Sequence, residues 1–153
     1  MSASITFTAV LPTMIAHKDG HIVQVSSVQG LIGLPQRSAY SASKHALQAF
    51  SDCLRAEVMS HNICVTVVSP GYLRTQLSVN ALTGDGSVHG KMDETTENGY
   101  SAEYVAKAIV HAVVKKRKEV IIATVLPKLA IFLRKYFPSV YFYVMAIRAR
   151  KLV

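Results

Sequence analysis

At 153 residues, half of them hydrophobic, the chain is long enough for one domain with a core and too apolar to be disordered. Its formal net charge is +8 at pH 7, but from Lys115 onward ten basic residues stand against Glu119 alone, a segment charge of +9, so everything before Lys115 sums to −1. A near-neutral body with a basic appendage argues against a nucleic-acid partner: the run Lys115 to Lys118 is short and has no aromatic stacking platform around it.

In chain order, Met1 to Val10 lacks the basic n-region of a secretory signal, and "MSASITFTAVLPTMIA" is too short and too polar to cross a bilayer. Gly20 to Ser27, "GHIVQVSS", follows a turn and is apolar at Ile22, Val23 and Val25, which predicts a buried strand. A helix is expected from Ala39 to about Ser60, capped by Ser38. Ala46, Leu47, Phe50, Leu54 and Val58 recur on its apolar face. A second face is all small, Ala42, Ala49, Cys53 and Ala56, and suits close approach of another helix; a homodimer through helix 40–58 is the expected partner there. "ICVTVVSPG", Ile63 to Gly71, predicts a second buried strand ended by Pro-Gly. Tyr72 to Tyr100 is polar and aperiodic, a loop long enough to suggest function or mobility. Ser101 to Lys116 predicts a second helix with Ser101 as its cap, and Glu119 to Val125 a third strand. Strand, helix, strand with uniformly apolar strands is the sequence form of a parallel βαβ unit, so the expected fold class is α/β with a partial doubly wound sheet. Cys53 and Cys64 suit a reducing, intracellular compartment. With no metal-ligand or redox spacing they are expected as small buried hydrophobes, and no metal site is expected.

One constellation points to chemistry. Tyr40 lies thirteen residues after Ser27, and Lys44 four further on. Residues four apart on a helix share a face, and a cation held beside a phenol favours its phenolate, as does the positive end of the helix. Such a tyrosine could exchange a proton with an alcohol or carbonyl oxygen that Ser27 holds. A Tyr-x-x-x-Lys pair alone is weak, because a tyrosine at a helix start is usually a packing residue and an exposed lysine is usually just solvated. Topology strengthens it. In a parallel sheet Ser27 and Pro70-Gly71 end their strands on one edge, and Tyr40 and Lys44 begin the helix leaving from it, where open α/β sheets bind ligands.

These residues resemble the short-chain dehydrogenase/reductases. Gly20 to Ser27 with Gly30, "YSASK" from Tyr40 to Lys44, and "SPGYLRT" from Ser69 to Thr75 match that family's motifs in order and spacing, over a span from about Leu11 to Lys118. The resemblance implies an oxidoreductase acting on a small-molecule carbonyl or alcohol, with the hydride carried by NADP or NAD. It implies that Tyr40 donates or accepts the proton, that Lys44 assists it and binds the nicotinamide ribose, and that Ser27 orients the substrate oxygen. Pro70, Gly71 and Thr75 would line the cofactor, and Leu77 to Gly99 would match the substrate-covering loop. The family's glycine-rich diphosphate turn, its Asn-Ala-Gly segment and a catalytic asparagine, all ahead of the serine strand, have no counterpart here. "GDGSVHG", Gly84 to Gly90, sits inside the loop and does not replace them. The expectation is a fragment or shortened product carrying roughly the second half of the fold, or a chain whose first residues replace something.

Residues 1–125 are thus expected to form the dehydrogenase portion, and 126–153 a basic aromatic tail. The tail's longest uncharged run, Tyr136 to Ile147, is 12 residues, too few for a bilayer, and Pro138 should break its helix. Basic residues beside Phe and Tyr suit a surface segment on anionic lipid, or aromatics packed on another protein surface. The chain most resembles a membrane-associated branch of the family, which implies an intracellular membrane location, endoplasmic reticulum or peroxisome, and a lipid-like substrate. The alternative function is a catalytically inactive membrane-surface or dimerisation module.

Overall fold

The computed structural model describes residues 2–75, 79–80, 86–88, 90 and 94–151. Its elements are α1 (Ser2–His17), β1 (Gly20–Val25), a 3₁₀ turn (Val28–Gly30), α2 (Ser38–Val58), β2 (Ile63–Pro70), β3 (Leu73–Arg74), α3 (Glu94–Glu97), β4 (Tyr100–Ser101), α4 (Ala102–Val114), β5 (Glu119–Ile122), α5 (Val125–Tyr136) and α6 (Pro138–Arg150). The fold is α/β. β1, β2 and β5 form a parallel sheet in that order, running in register from Gly20↔Ile63 to Val25↔Val68 and from Val67↔Glu119 to Pro70↔Ile122.

The central strand β2 is the most apolar segment because it is covered on both faces. Ile63 and Val65 pack with Ile22, Leu54 and Val58, and Leu11, Met14 and Ile15 of α1 close over that cluster. On the other face Val68, Val105 and Ile122 form a second cluster with Tyr100, Ala108 and Ile109. Arg55 ties three parts of the layer together: it pairs with Asp52 at 2.8 Å and donates to the Val65 carbonyl at 3.2 Å and the Lys118 carbonyl at 3.1 Å.

Several expectations are corrected in detail. Ser38 is the first residue of α2 rather than its cap; Arg37 takes the cap position and makes no side-chain capping bond. Leu54 and Val58 are buried as expected, but Ala46 and Phe50 are exposed, because the buried face of α2 near its start is polar: Ser41, Gln48 and Ser51. Cys53 is exposed and Cys64 half-buried. β5 ends at Ile122, and Val125 already belongs to α5. Ser101 does cap α4, its Oγ accepting from the Tyr104 amide at 3.2 Å. The short parallel pair β3–β4 lies in what reads from sequence as a loop.

The tail forms two helices divided at Phe137, with Pro138 opening the second, where its missing N–H costs nothing. Neither is long and apolar enough to cross a membrane, nor is any other helix among the described residues. One side chain of the pair is buried: Tyr141, 2% exposed, whose hydroxyl donates to the Gly33 carbonyl. Burial pushes the Tyr141 hydroxyl above the usual tyrosine range, opposed by the nearby cations Arg134 and Arg148.

Candidate active site

Because β1 and β2 run in parallel, their carboxyl ends meet at one edge, joined by the Ser26 amide on the Val68 carbonyl at 2.8 Å. The chain leaves β1 there in extended conformation, and Ser27 caps the 3₁₀ turn, its Oγ accepting from the Gln29 amide at 3.1 Å. The same hydroxyl reaches the Pro70 carbonyl at the end of β2 only at 3.5 Å. A bond of that length is weak, so its proton can turn to a better acceptor at little cost.

α2 begins above this edge. Lys44 on its second turn donates from Nζ to the Val25 carbonyl at 3.1 Å, and the ammonium lies 5.8 Å from the centre of the Tyr40 ring. Tyr40 itself is 37% exposed, so a substrate oxygen from solvent could reach the phenol. Ser27 thus touches the end of β2 at Pro70, and Lys44, beside the Tyr40 ring, is joined to the end of β1 at Val25, so both contacts lie at the same edge of the sheet.

A buried polar layer holds these groups, and the sequence analysis missed it. Ser41 donates to Gln29 at 3.3 Å, Gln48 to Ser69 at 2.9 Å, and Ser26 to the Lys44 carbonyl at 3.3 Å. Each bond pins α2 to a strand end or to the 3₁₀ turn that follows β1. The signal was present as polar residues at helical spacing, Ser41, Gln48 and Ser51, facing a strand that ends in Ser-Ser. Gly30 permits the close approach: a Cβ there would stand 2.7 Å from Ser26 Oγ and 2.8 Å from the Lys44 carbonyl oxygen. Gly30→Ala is expected to destabilise the domain by about 1–3 kcal/mol, since α2 must move off the strand ends. A denaturation midpoint equal to that of the parent chain would contradict this.

Gly71 follows Pro70, donates its amide to the Ile122 carbonyl at 2.9 Å, and packs toward Ala123, so it borders the β5 side of the same edge. Thr75 is half-buried just after β3. Gly84, Asp85 and His89 of the "GDGSVHG" cluster and much of Leu77 to Gly99 lie outside the described residues. The donor set fits the nicotinamide end of a dinucleotide, with the Lys44 ammonium and the Tyr40 hydroxyl available for ribose hydroxyls at the strand-end edge. Among the described residues no glycine-rich turn joins a strand to a helix, so these residues fit only that end of the cofactor.

The sequence profile of the short chain dehydrogenases matches residues 1–85. The chain is 57% identical over 143 residues to Dehydrogenase/reductase SDR family member 7B of Bos taurus, covering 94% of this chain and 44% of that protein. It is 55% identical over 144 residues to Dehydrogenase/reductase SDR family protein 7-like of Drosophila melanogaster, with the same two shares. The chain thus spans less than half the length of the curated relatives it matches. Among solved structures, a short chain dehydrogenase from Burkholderia cenocepacia in complex with NADP superimposes with a TM-score of 0.71 at 22% identity, over 91% of this chain and 52% of that one. A short-chain dehydrogenase from Streptomyces avermitilis gives 0.65 at 25% identity, over 95% and 56%.

Proposed function

This chain belongs to the short-chain dehydrogenase family, and from that premise we propose that it carries the proton-transfer part of an oxidoreductase site acting on a carbonyl or alcohol. The single observation that carries the proposal is the joining of Lys44, beside the Tyr40 ring, to the Val25 carbonyl at the end of the strand that Ser27 follows. A bound nicotinamide cofactor, NADP or NAD, would supply or take the hydride. The Ser27 hydroxyl would turn from its long bond to Pro70 and hold the substrate oxygen. Tyr40 would pass its proton to that oxygen or receive one from it. Lys44 would balance charge that develops on the Tyr40 oxygen and hold a ribose hydroxyl, with Pro70, Gly71 and Thr75 along the cofactor's path. The test is nicotinamide oxidation or reduction on a panel of carbonyls and alcohols, using the chain extended to the length of its relatives. No turnover on any of them would favour the alternative, an inactive membrane-surface or dimerisation module.

Lys44→Met in that protein is expected to lose turnover and also to weaken cofactor binding, because one ammonium serves both. A variant with unchanged rate and unchanged cofactor affinity would remove Lys44 from the site.

The tail supports a finer proposal: residues 1–125 form the dehydrogenase portion, and 126–153 lie on an anionic membrane surface inside the cell, where a lipid-like substrate is met. Phe132 of α5, Phe137 between the helices, and Phe142 and Tyr143 of α6 are exposed among Lys128, Arg134, Lys135, Arg148 and Arg150. Aromatic rings and cations on one exposed unit favour the boundary between headgroups and acyl chains. Ala42, Ala49, Cys53 and Ala56 of α2 are exposed together, a smooth face that supports a homodimer.

A further inference from the structure

We propose that Tyr141 is a positioning residue: its hydroxyl on the Gly33 carbonyl lets α6 fix the loop that joins Ser27 to Tyr40, and so shapes the substrate mouth from the C-terminal side. The inference rests on the Ser27–Tyr40 site proposed above and extends it to a part of the chain that sequence reads as a separate appendage.

Two backbone turns flank the exposed middle of the loop, and Ile32 at its start is buried. The 3₁₀ turn closes with the Ile32 amide on the Val28 carbonyl at 3.1 Å, and the next backbone turn comes with the Arg37 amide on the Leu34 carbonyl at 3.2 Å. Gly33 lies between, exposed, and a Cβ built on it would meet nothing within 4 Å. Gln36 in the same loop adopts a φ of 60°, a left-handed conformation that is unfavourable for a residue with a Cβ. The Tyr141 hydroxyl acts on the stretch between the two turns.

The constraint is specific on the tail side as well. α5 buries no residue and α6 buries Tyr141 alone, while its neighbours Val140, Phe142 and Tyr143 are exposed. A buried phenol that donates to a backbone carbonyl is costly to leave unpaired, so the ring and the loop carbonyl set each other's position. The consequence reaches the site through two short segments: the loop begins at the turn that Ser27 caps and ends where α2 lifts Tyr40. α6 is thereby fastened to the loop that leads into Tyr40, and it carries exposed aromatic and aliphatic side chains.

The experiment has two arms. In the 153-residue chain, hydrogen–deuterium exchange of residues 32–37 is measured for the parent and for Tyr141→Phe, which keeps the ring and removes the hydroxyl. Loss of one hydrogen bond is expected to speed exchange there by about three- to tenfold while the β2 amides stay protected. In the chain extended to its relatives' length, Tyr141→Phe is expected to raise KM by a similar factor with kcat within about twofold. Tyr141→Leu, which also shortens the side chain, keeps both arms open should the phenylalanine variant aggregate. Unchanged exchange at 32–37, or exchange that rises equally across β2, overturns the inference, as does a fall in kcat with KM unmoved. The exchange arm needs no turnover, so it succeeds or fails independently of the catalytic proposal, which Tyr40→Phe tests.

Discussion

Replacing Tyr40 by phenylalanine is expected to lower turnover by about 10²–10⁴-fold while cofactor affinity stays within about tenfold. The substitution removes one oxygen and leaves the ring, and therefore leaves the packing at the start of α2. Tyr40 is exposed enough that its hydroxyl supports no buried network whose loss would unfold the domain. The ammonium of Lys44 is held by the Val25 carbonyl and not by the Tyr40 oxygen, so it stays in position when that oxygen is gone. The expected loss is therefore chemical. It should appear in kcat and in kcat/KM together, as for a group that acts only in the transition state. The measurement is steady-state kinetics on the chain extended to the length of its relatives, with circular dichroism to verify the fold. Tyr40→Phe retaining more than about a tenth of the parent rate would remove the proton-transfer role from Tyr40.

The second large effect is expected at a membrane surface. Changing Lys128, Arg134, Lys135, Arg148 and Arg150 to glutamine should lower affinity for anionic vesicles by ~10³-fold, at about fivefold for each cation near the surface. Charge changes are preferable to deletion of the tail, because deletion would also remove Tyr141 from Gly33 and disturb the loop beside the site. Arg134 lies 5.0 Å from the Phe142 ring and Lys135 5.3 Å from the Tyr136 ring, so cation and aromatic ring meet within one small unit, as an interfacial segment requires. Cosedimentation with phosphatidylserine vesicles at low and high salt measures the effect. If the five-fold variant binds as tightly as the parent, the tail's aromatics pack on protein and the lipid proposal falls.

The two experiments divide the molecule as its chemistry does. The first concerns groups set by strand ends and a helix start, where position is fixed by the backbone of a parallel sheet. The second concerns side chains that almost all face outward, where net charge decides.

Much of this could be read from the residues in order. The strands at Gly20 and Ile63 were legible because central parallel strands are covered on both faces and so are apolar throughout. The helix between them was legible from its spacing. Ser27, Tyr40, Lys44 and Pro70 could be brought to one edge without coordinates, because parallel pairing through a crossover helix fixes which ends meet. The division of charge at Lys115 was a matter of composition alone.

What only the tertiary structure decided depends on contacts between residues distant in the chain. The inner face of α2 is polar near the site. A helical pattern weighted by hydrophobicity selects Ala46 and Phe50 for that face, whereas Ser41 and Gln48 hold it through bonds to Gln29 and Ser69. The end of β5 at Ile122 follows from the length of β2 available to pair with it, which local preference for Val and Ile does not report. The docking of Tyr141 on Gly33 spans 108 positions. In sequence Tyr141 is one aromatic among many in a tail with no buried pattern, and Gly33 is one loop residue. Neither carries a mark of the other, because a hydrogen bond to a backbone carbonyl makes no demand on the residue type that supplies the carbonyl. Periodicity and charge determined the sheet, the crossover and the basic tail; the geometry of packing alone decided that this tail is fastened to the loop between Ser27 and Tyr40.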